Sequence, residues 1–365
     1  MSVSLASAAA VLLGAVPVSA EGPVTSRRLA GPDRYATALA IAEVTFPPAA
    51  EGESNASSVA IARGDVFADA LAAVTAVPQG AVLLTPRDRL PSGVATFLDE
   101  RNNGLTYLMG QQDAVGSGVE READALRGEG QVTRLPGRDR YETAALAHEF
   151  GLDYVGGGTE LDGLRTAVLV NGLNPADAVS AGPLAWDEAL PLLLTAPDQL
   201  PQATRDALLL DDANHDPVEQ VVIVGGPQAV SERVVRQLRE LGMSVRRVAG
   251  PTRQETAIRV FEFAEQKFGW VLGHVNIARG DAPVDALAGG PHAGRERAPI
   301  LLTVSRDELG EVNREFLRSR PRRQDLDRSA NDSTVIDVLG GDVAVSDIVV
   351  RDAELAAMQS PPPAR

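Results

Sequence analysis

The chain carries one pattern three times in succession, and no other feature of the sequence limits its fold so strongly. The segment RLAGPDRYATA at 28–38 returns as RLPGRDRYETA at 134–144 and, in weaker form, as RVAGPTRQETA at 247–257. Three further blocks follow each copy in a constant order. Self-similarity of this kind indicates tandem copies of one structural unit.

Equivalent residues in the later blocks keep a constant spacing. The second block holds an aspartate every 108 residues, and the fourth holds a glycine every 115 residues. The copies fill nearly all of the chain after residue 20, so we expect no separate catalytic domain within it. We expect repeats at 21–132, 133–245 and 246–358, with a disordered tail over 359–365. The spaced residues are Asp69, Asp177 and Asp285, and Gly110, Gly225 and Gly340.

Each repeat is predicted to consist of alternating strands and helices. The apolar runs at 59–62, 81–85 and 106–109 are short and continuous, which is typical of strands buried on both faces of a parallel sheet. Amphipathic segments between them, such as 68–77 and 94–100, predict helices. We therefore predict about four strands and four helices per unit, in three small doubly wound α/β domains rather than a solenoid.

The first twenty residues indicate export. Residues 1–20 lack charge, contain an apolar stretch at 8–16 and end in Val18-Ser19-Ala20, the small-x-small pattern of a signal-peptidase site. The Lys or Arg that normally opens a signal peptide is missing, so a buried N-terminal helix is the alternative. No later segment is long and apolar enough to cross a membrane. We expect a secreted protein with no membrane span after cleavage.

Composition excludes several classes of function. The net charge of −16 argues against a nucleic-acid binder, because such proteins cluster Lys and Arg on their surface. The absence of cysteine excludes disulfides, zinc–thiolate sites, iron–sulfur clusters and cysteine nucleophiles. The chain has 365 residues, 44% of them hydrophobic, which is enough for sizeable cores.

The repeated polar residues mark a candidate binding region. Ligands of open parallel sheets bind beyond the carboxyl ends of the strands, where these motifs fall. The glycines of the first block are expected to permit an unusual backbone turn, and the arginines three residues later to lie near a helix start that favours anions. Arginines also end two of the second strands, where Asn171 stands in repeat 2. These residues are Gly31, Gly137 and Gly250, Arg34, Arg140 and Arg253, and Arg63 and Arg279.

Structural interpretations compete with these functional ones. The repeated aspartates are more readily explained as helix-start caps or as partners between units than as catalytic groups. The arginines fit ligand binding and structural pairing equally well. Tyr35 and Tyr141 can stack on a sugar or pack between units. Repeat 3 has Thr252 and Gln254 in place of Asp and Tyr, so one interpretation is that its site has a structural role and binds no ligand.

No catalytic or metal-binding set is recognisable. None of the four histidines recurs at an equivalent position, and none forms an HxxxH or HxH pattern. No phosphate-binding glycine loop with a lysine is present. We therefore expect neither an enzyme, nor a metal, nor a cofactor. The histidines are His148, His215, His274 and His292.

Together, the four blocks resemble the bacterial cell wall binding repeat type 2 family over about residues 25–358. The resemblance implies three Rossmann-like or flavodoxin-like units in a pseudo-threefold ring. It also implies non-covalent attachment to anionic secondary polymers or a peptidoglycan-linked glycan, at the cell surface, with an autolysin or surface-layer protein as a further partner. The candidate polymer contacts carried over in this way are Arg28, Arg34, Arg63, Arg134, Arg140, Arg247, Arg253 and Arg279, and Tyr35 and Tyr141 are added to them as candidates for stacking on a sugar.

Three other functions remain open. A peptidoglycan hydrolase with its site at the unit junctions would lose turnover when one carboxylate is removed. An extracellular solute-binding protein would bind one tight stoichiometric ligand, whereas a polymer binder shows multivalent, length-dependent affinity. A modifier subunit that carries an autolysin to the wall would co-purify with that enzyme.

Overall fold

A computed structural model describes residues 24–47, 56–101, 104–155, 160–212, 216–320 and 334–359. The predicted signal peptide at 1–20, His215 and the tail after Gln359 lie outside the described residues. The described strands form three parallel sheets with one short antiparallel addition, β6. They are β1 (Thr25–Leu29), β2 (Val59–Arg63), β3 (Ala81–Thr85), β4 (Thr106–Met109), β5 (Val132–Leu135), β6 (Glu160–Leu161), β7 (Leu164–Asn171), β8 (Leu192–Thr195), β9 (Gln220–Val224), β10 (Ser244–Val248), β11 (His274–Ala278), β12 (Ile300–Leu302) and β13 (Val335–Leu339).

Helices connect the strands and cover the sheets. Among the described residues they are α1 (Arg34–Thr45), α2 (Ala73–Ala76), α3 (Ser92–Arg101), α4 (Ser117–Arg127), α5 (Arg140–Val155), α6 (Pro175–Asp187), α7 (Gln202–Leu208), α8 (Glu232–Glu240), α9 (Arg253–Phe268), α10 (Gly290–Arg295), α11 (Glu311–Ser319) and α12 (Asp347–Met358). The helix predicted at 68–77 is shorter than expected. It consists of a 3-10 turn, Ala70–Ala72, followed by α2, which ends before Pro78, a residue that cannot continue a helix.

The three sheets share one strand order, so the predicted threefold α/β architecture is confirmed. Unit 1 is β3-β2-β4-β5, unit 2 is β8-β7-β9-β10, and unit 3 is β12-β11-β13-β1. The first strand of each sequence repeat therefore completes the sheet of the repeat before it. The N-terminal strand β1 pairs in parallel with β13, so the first repeat closes the sheet of the last.

Small residues allow the three units to meet closely at the centre. The 3-10 turn and α2 of unit 1, α6 of unit 2, and the turn Pro283–Ala286 with α10 of unit 3 converge there. Gly290 is required at this position, because an added Cβ atom would lie 2.8 Å from Cγ1 of Val74 and 3.4 Å from the carbonyl carbon of Gly182. Helices without side-chain bulk can approach closely, and the apolar core runs through the contact.

The glycines of the first block serve a purpose that differs from the prediction. Gly31, Gly137 and Gly250 do not adopt positive φ. Each lies against the first turn of the following helix instead. A Cβ atom on Gly31 would lie 2.3 Å from Cβ of Ala36, and one on Gly137 would lie 2.2 Å from the backbone nitrogen of Thr143. These positions require glycine because there is no space for a side chain.

Candidate functional site

The sheets meet at three junctions, and each junction brings together an aspartate of one repeat and an arginine of the next. At junction 1/2, burial raises the pKa of Asp69, and the charge of Arg140 opposes this rise. At junction 2/3, the charge of Arg253 likewise opposes the rise in the pKa of Asp177 that burial causes. At junction 3/1, the charges of Arg34 and Arg279 act on Asp285. The sequence-predicted arginines and aspartates are therefore brought together across unit boundaries.

The glycine of the fourth block makes room for this aspartate. Gly110, Gly225 and Gly340 directly follow the middle strands and have φ values of 87°, 119° and 121°, which favour glycine. An added Cβ atom on Gly225 would lie 2.6 Å from Oδ2 of Asp177, and one on Gly110 would lie 2.7 Å from Oδ2 of Asp69. The 115-residue glycine spacing thus reflects both the backbone turn and the neighbouring carboxyl group.

All three aspartates are partly or largely buried, and burial raises the pKa of each. The largest shift is at Asp177, whose pKa rises to about 6 because its carboxyl group is desolvated, with Arg253 acting in the opposite direction. At Asp69, a hydrogen bond with Thr143 also opposes the rise in pKa. The structure shows no capping hydrogen bond from Asp69 to the turn it precedes, and Asn174 rather than Asp177 caps α6.

The arginines Arg34, Arg140 and Arg253 keep most of their donors available. Each donates one hydrogen bond to a glycine carbonyl at the end of the second strand of its own repeat, as Nη1 of Arg34 does to Gly64 at 2.8 Å. No second hydrogen bond of these guanidinium groups is present among the described residues, although a guanidinium has five N–H donors. Arg140 additionally lies over the ring of Phe67, 5.8 Å from its centroid.

A second set of arginines, Arg28, Arg134 and Arg247, is committed to internal contacts. Arg134 donates to the carbonyl of Gly110 at 3.0 Å and forms a two-point contact with Glu120 in the first turn of α4. Arg28 and Arg247 make the equivalent contacts to Gly340 and Gly225 and to carboxylates that begin α12 and α8. These side chains fix the loop that carries the junction glycine.

The third set, Arg63 and Arg279, bridges two loops. Arg63 pairs with Asp65 through two nitrogens, at 2.6 and 2.7 Å, and donates to the carbonyl of Asp113 in the fourth block. Arg279 pairs likewise with Asp281 and donates to the carbonyl of Val343 at 3.4 Å. Repeat 2 has Asn171 and Leu173 at these places, and Asn171 Oδ1 instead accepts from the backbone of Leu173.

The two tyrosines pack at the strand ends. Tyr35 lies against Gly64 and Tyr141 against Gly172, so close that a Cβ atom on either glycine would lie about 3 Å from the ring. In repeat 3 the corresponding Gln254 donates to the carbonyl of Thr303 at 2.9 Å. Both rings are half-buried, so each packs against a glycine and also keeps part of its surface exposed.

One polar cluster was missed by the sequence analysis. His292 of α10 contacts Thr45 Oγ1 through Nδ1 at 3.0 Å and Asp337 Oδ2 through Nε2 at 2.8 Å, and Arg27 also binds Asp337. The available signal was Asp337 itself, a charged residue within an apolar strand pattern. Tyr107 and Val222 occupy the equivalent positions of the other repeats.

Proton positions in this cluster follow from its partners. The Thr45 hydroxyl donates to the carbonyl of Ile41, so its contact with His292 uses a proton on Nδ1. Asp337, whose pKa is lowered to about 2 by hydrogen bonds from His292 and Arg27 that outweigh its desolvation, accepts from Nε2. Because Thr45, His292 and Asp337 are all buried, the cluster is not accessible to a substrate despite its resemblance to a nucleophile–base–acid chain.

Metal-binding and membrane-spanning features are not seen in the described part of the chain. No group of three or more His, Asp or Glu side chains there is placed to hold a metal ion. Within the same residues, none of the helices has the length and apolarity needed to span a bilayer.

The fold and the junctions define a protein of three tandem α/β modules with a repeated arginine–aspartate site. A family model described as "Cell wall binding domain 2 (CWB2)" matches residues 28–120, 134–235 and 247–350. The chain belongs to this family, as its resemblance predicted, and its three modules are cell wall binding domains.

Two curated relatives, both longer proteins, align with much of this chain. The chain is 35% identical over 172 residues to the N-acetylmuramoyl-L-alanine amidase LytC of Bacillus subtilis, covering 47% of this chain and 31% of that protein. It is 25% identical over 299 residues to the amidase enhancer of the same organism, covering 81% of this chain and 37% of that protein. The chain thus spans about a third of the length of these relatives.

Solved structures share the whole architecture. Cwp6 from Clostridium difficile superimposes with a TM-score of 0.72 at 23% identity, over 93% of this chain and 49% of that one. Cwp8 from the same organism gives a TM-score of 0.71 at 22% identity, over 92% and 52% of the respective chains. At this level of identity the likeness establishes the fold.

Proposed function

We propose that the protein is secreted and attaches non-covalently, without catalysis, to an anionic polymer of the cell wall through its three junctions. The observation that carries the proposal is the threefold placement of Arg34, Arg140 and Arg253. Each lies beside a strand end at a unit boundary and keeps N–H donors that no described residue uses. Forked donors of this kind suit carboxylate and phosphate groups.

Three equivalent sites suit a repeating ligand. A polymer that engages two or three junctions at once gains affinity from effective concentration, without any new type of contact. The net charge of −16 opposes an anionic partner, but screening over roughly 8–10 Å at physiological salt limits that repulsion to nearby groups. Local arginines can then dominate the encounter.

The test is co-sedimentation of residues 21–365 with purified cell walls of the source organism, before and after acid removal of the secondary polymers and across a salt series. We expect binding that disappears with stripping and weakens with salt. Binding that survives stripping would instead identify peptidoglycan as the ligand. Binding to neither wall would refute attachment.

Two matched triple variants distinguish a specific effect of the junction arginines on binding from a general effect of positive charge. Arg34→Gln, Arg140→Gln and Arg253→Gln together should weaken binding by far more than any one of them, because multivalency is lost. The control is Arg121→Gln, Arg236→Gln and Arg351→Gln, which removes the same charge at three equivalent exposed positions of α4, α8 and α12. Equal losses in the two triple variants would refute a junction site.

A second role is suggested by the relatives, whose printed names are an amidase and an amidase enhancer. We propose that the wall-bound protein also acts beside such an autolysin. Co-purification of an amidase with the tagged protein from the source organism, and a change in its rate of wall digestion, would support this role. An unchanged rate at saturating protein would contradict it.

A further inference from the structure

Junction 2/3 differs from the other two at the carboxyl end of its second strand. In units 1 and 3 an arginine spans from that strand end to the loop after the middle strand, ending on the carbonyl of Asp113 or Val343. In unit 2 the two ends of this bridge correspond to Asn171 and Gln228. Neither side chain spans the gap, since Asn171 turns back to its own loop.

An open cleft of about 490 Å³ occupies this place, and both Asn171 and Gln228 line it. Its volume falls within the roughly 300–1,000 Å³ of ordinary ligand pockets. It also lies between the ends of β7 and β9, from which the chain crosses to opposite edges of the sheet. In open α/β sheets this topological switch point is where ligands bind.

The cleft contains a buried carboxyl group without a hydrogen-bond donor. Asp177 lines the cleft and is 7% exposed. The described residues give it no hydrogen bond, only the charge of Arg253. A buried polar group that lacks a partner is costly, and the cost is recovered when a ligand supplies the partner.

The rest of the lining supplies a positive end and neutral amides. Arg253 is exposed at the start of the sixteen-residue helix α9, whose N-terminus adds partial positive charge. Asn171 and Asn174 also line the cleft, and their Oδ1 atoms accept from the backbone of Leu173 and Ala176, which leaves the amide N–H groups as donors. Glu255 is not among the residues that line the cleft, and its carboxylate accepts from the backbone and hydroxyl of Thr252.

We propose that the cleft at junction 2/3 is a dedicated subsite for one acidic sugar residue, a polyhydroxylated ring that carries a carboxylate or phosphate. Arg253 and the start of α9 bind the oxyanion. Asp177 and the two asparagines bind hydroxyl groups. The proposal rests on the proposed attachment to an anionic wall polymer and identifies where the sugar itself is recognised.

To test the proposal, the full chain is titrated separately with four probes, and ligand-observed NMR measures the binding of each. The probes are D-glucuronic acid, glucose 1-phosphate, D-glucose and inorganic phosphate. We expect saturable binding of an acidic sugar at one site, and at least about tenfold weaker binding of glucose and phosphate alone. The stronger of the two acidic sugars distinguishes carboxylate from phosphate. Equal binding of free phosphate, or no binding of either acidic sugar, would overturn the proposal.

A double variant designed to close the cleft provides the structural control. Asn171→Arg with Leu173→Asp rebuilds the bridge that units 1 and 3 already contain, so the fold accommodates it. Acidic-sugar binding should fall at least about tenfold, while binding to whole walls is retained through the other junctions. Unchanged sugar binding would overturn the subsite. Sugar binding by wild-type protein that fails to bind walls would refute the attachment proposal and leave the subsite standing.

A pair of carboxyl variants provides a second readout. Because the pKa of Asp177 is about 6, D-glucuronic acid, whose own carboxylate stays ionised over this range, should bind more tightly at pH 5 than at pH 7.5, where the ionised Asp177 repels it. Asp177→Asn should abolish this pH dependence, and Asp285→Asn, at the bridged junction 3/1, should preserve it. The same pH dependence in all three proteins would contradict a role for Asp177.

Discussion

Two buried aspartates of this ring have opposite electrostatic surroundings. Asp337, at the boundary between units 3 and 1, is bound by His292 and Arg27, and its pKa is about 2. Asp177, at junction 2/3, has no hydrogen-bond donor in the described structure, and its pKa is about 6. Both side chains are nearly inaccessible. Burial alone therefore does not decide the charge of a carboxyl group, and the partners beside it do.

The difference separates a group that joins the two ends of the sequence from one that faces an open cleft. Arg27 and Asp337 face each other on the paired strands β1 and β13, which come from opposite ends of the sequence. Arg295 adds a second cation at the C-terminal end of α1, donating to the carbonyl of Thr45. Cations are favourable at this end of a helix. Unit 3 is thus locked to the N-terminal repeat by charge.

The largest effect is expected from breaking this lock. Asp337→Ala leaves the buried His292 Nε2 without its hydrogen-bond partner and Arg27 without its carboxylate, which should cost about 2–4 kcal/mol of unfolding free energy. Urea denaturation at pH 7 measures the loss. Arg27→Ala is the control and should cost about 1 kcal/mol or less, because Arg27 is 46% exposed and can rehydrate. Equal costs would show that the surface ion pair, not the buried cluster, closes the ring.

At junction 1/2, α5 lies so close to α2 that an added methyl group should disturb the contact. A Cβ atom on Gly151 of α5 would lie 2.0 Å from the carbonyl oxygen of Thr75 in α2. Gly151→Ala should therefore cost about 1–3 kcal/mol, despite the better helix propensity of alanine. Thermal unfolding measures the change. The matching position in α9 is Ala264, so Ala264→Gly serves as the control, and it should lose only about 1 kcal/mol. A stabilised Gly151→Ala protein would refute the close backbone contact.

The loss of folding stability at acid pH should report the protonation of Asp337. Its pKa is lower in the folded protein than the ordinary 3.8, so its contribution is complete above pH 4 and is lost as the pH falls toward 2. The loss should be about 2 kcal/mol. Denaturant midpoints measured from pH 5 to pH 2 test this in the wild type. The Asp337→Asn protein should lack this component of the loss at acid pH, and a profile identical to the wild type would contradict the assignment.

Asp177 is expected to make the free energy of unfolding depend on pH in the opposite direction. Its pKa is raised in the folded state, so the folded protein binds more protons there than the unfolded one, and stability falls as the pH rises from about 4 past 6. Asp177→Asn should raise stability by about 1–2 kcal/mol at pH 7.5 and have little effect at pH 4. Asp69→Asn should give less, because Thr143 already supplies a partner. A destabilised Asp177→Asn protein at pH 7.5 would show that the carboxylate has a structural partner.

Much of the architecture could be predicted from local patterns. Continuous apolar runs at 59–62 and 81–85 predicted buried parallel strands, and the structure confirms β2 and β3 there. The 108-residue and 115-residue spacings predicted equivalent units. The repeated aspartates and arginines could be identified as one set, because a residue needed at each junction recurs with the period of the fold.

The sequence by itself determined the repeat, the α/β class, the family and the residues that recur at strand ends. Only the tertiary structure decided that β1 completes the sheet of unit 3, that Arg63 bridges two loops while Asn171 does not, and that Gly31 is needed for space rather than for its backbone angles. Hydrophobic periodicity records the surroundings of a residue along its own strand or helix. It carries no record of which distant segment packs against it, and that pairing sets both the locked boundary at Asp337 and the open cleft at Asp177.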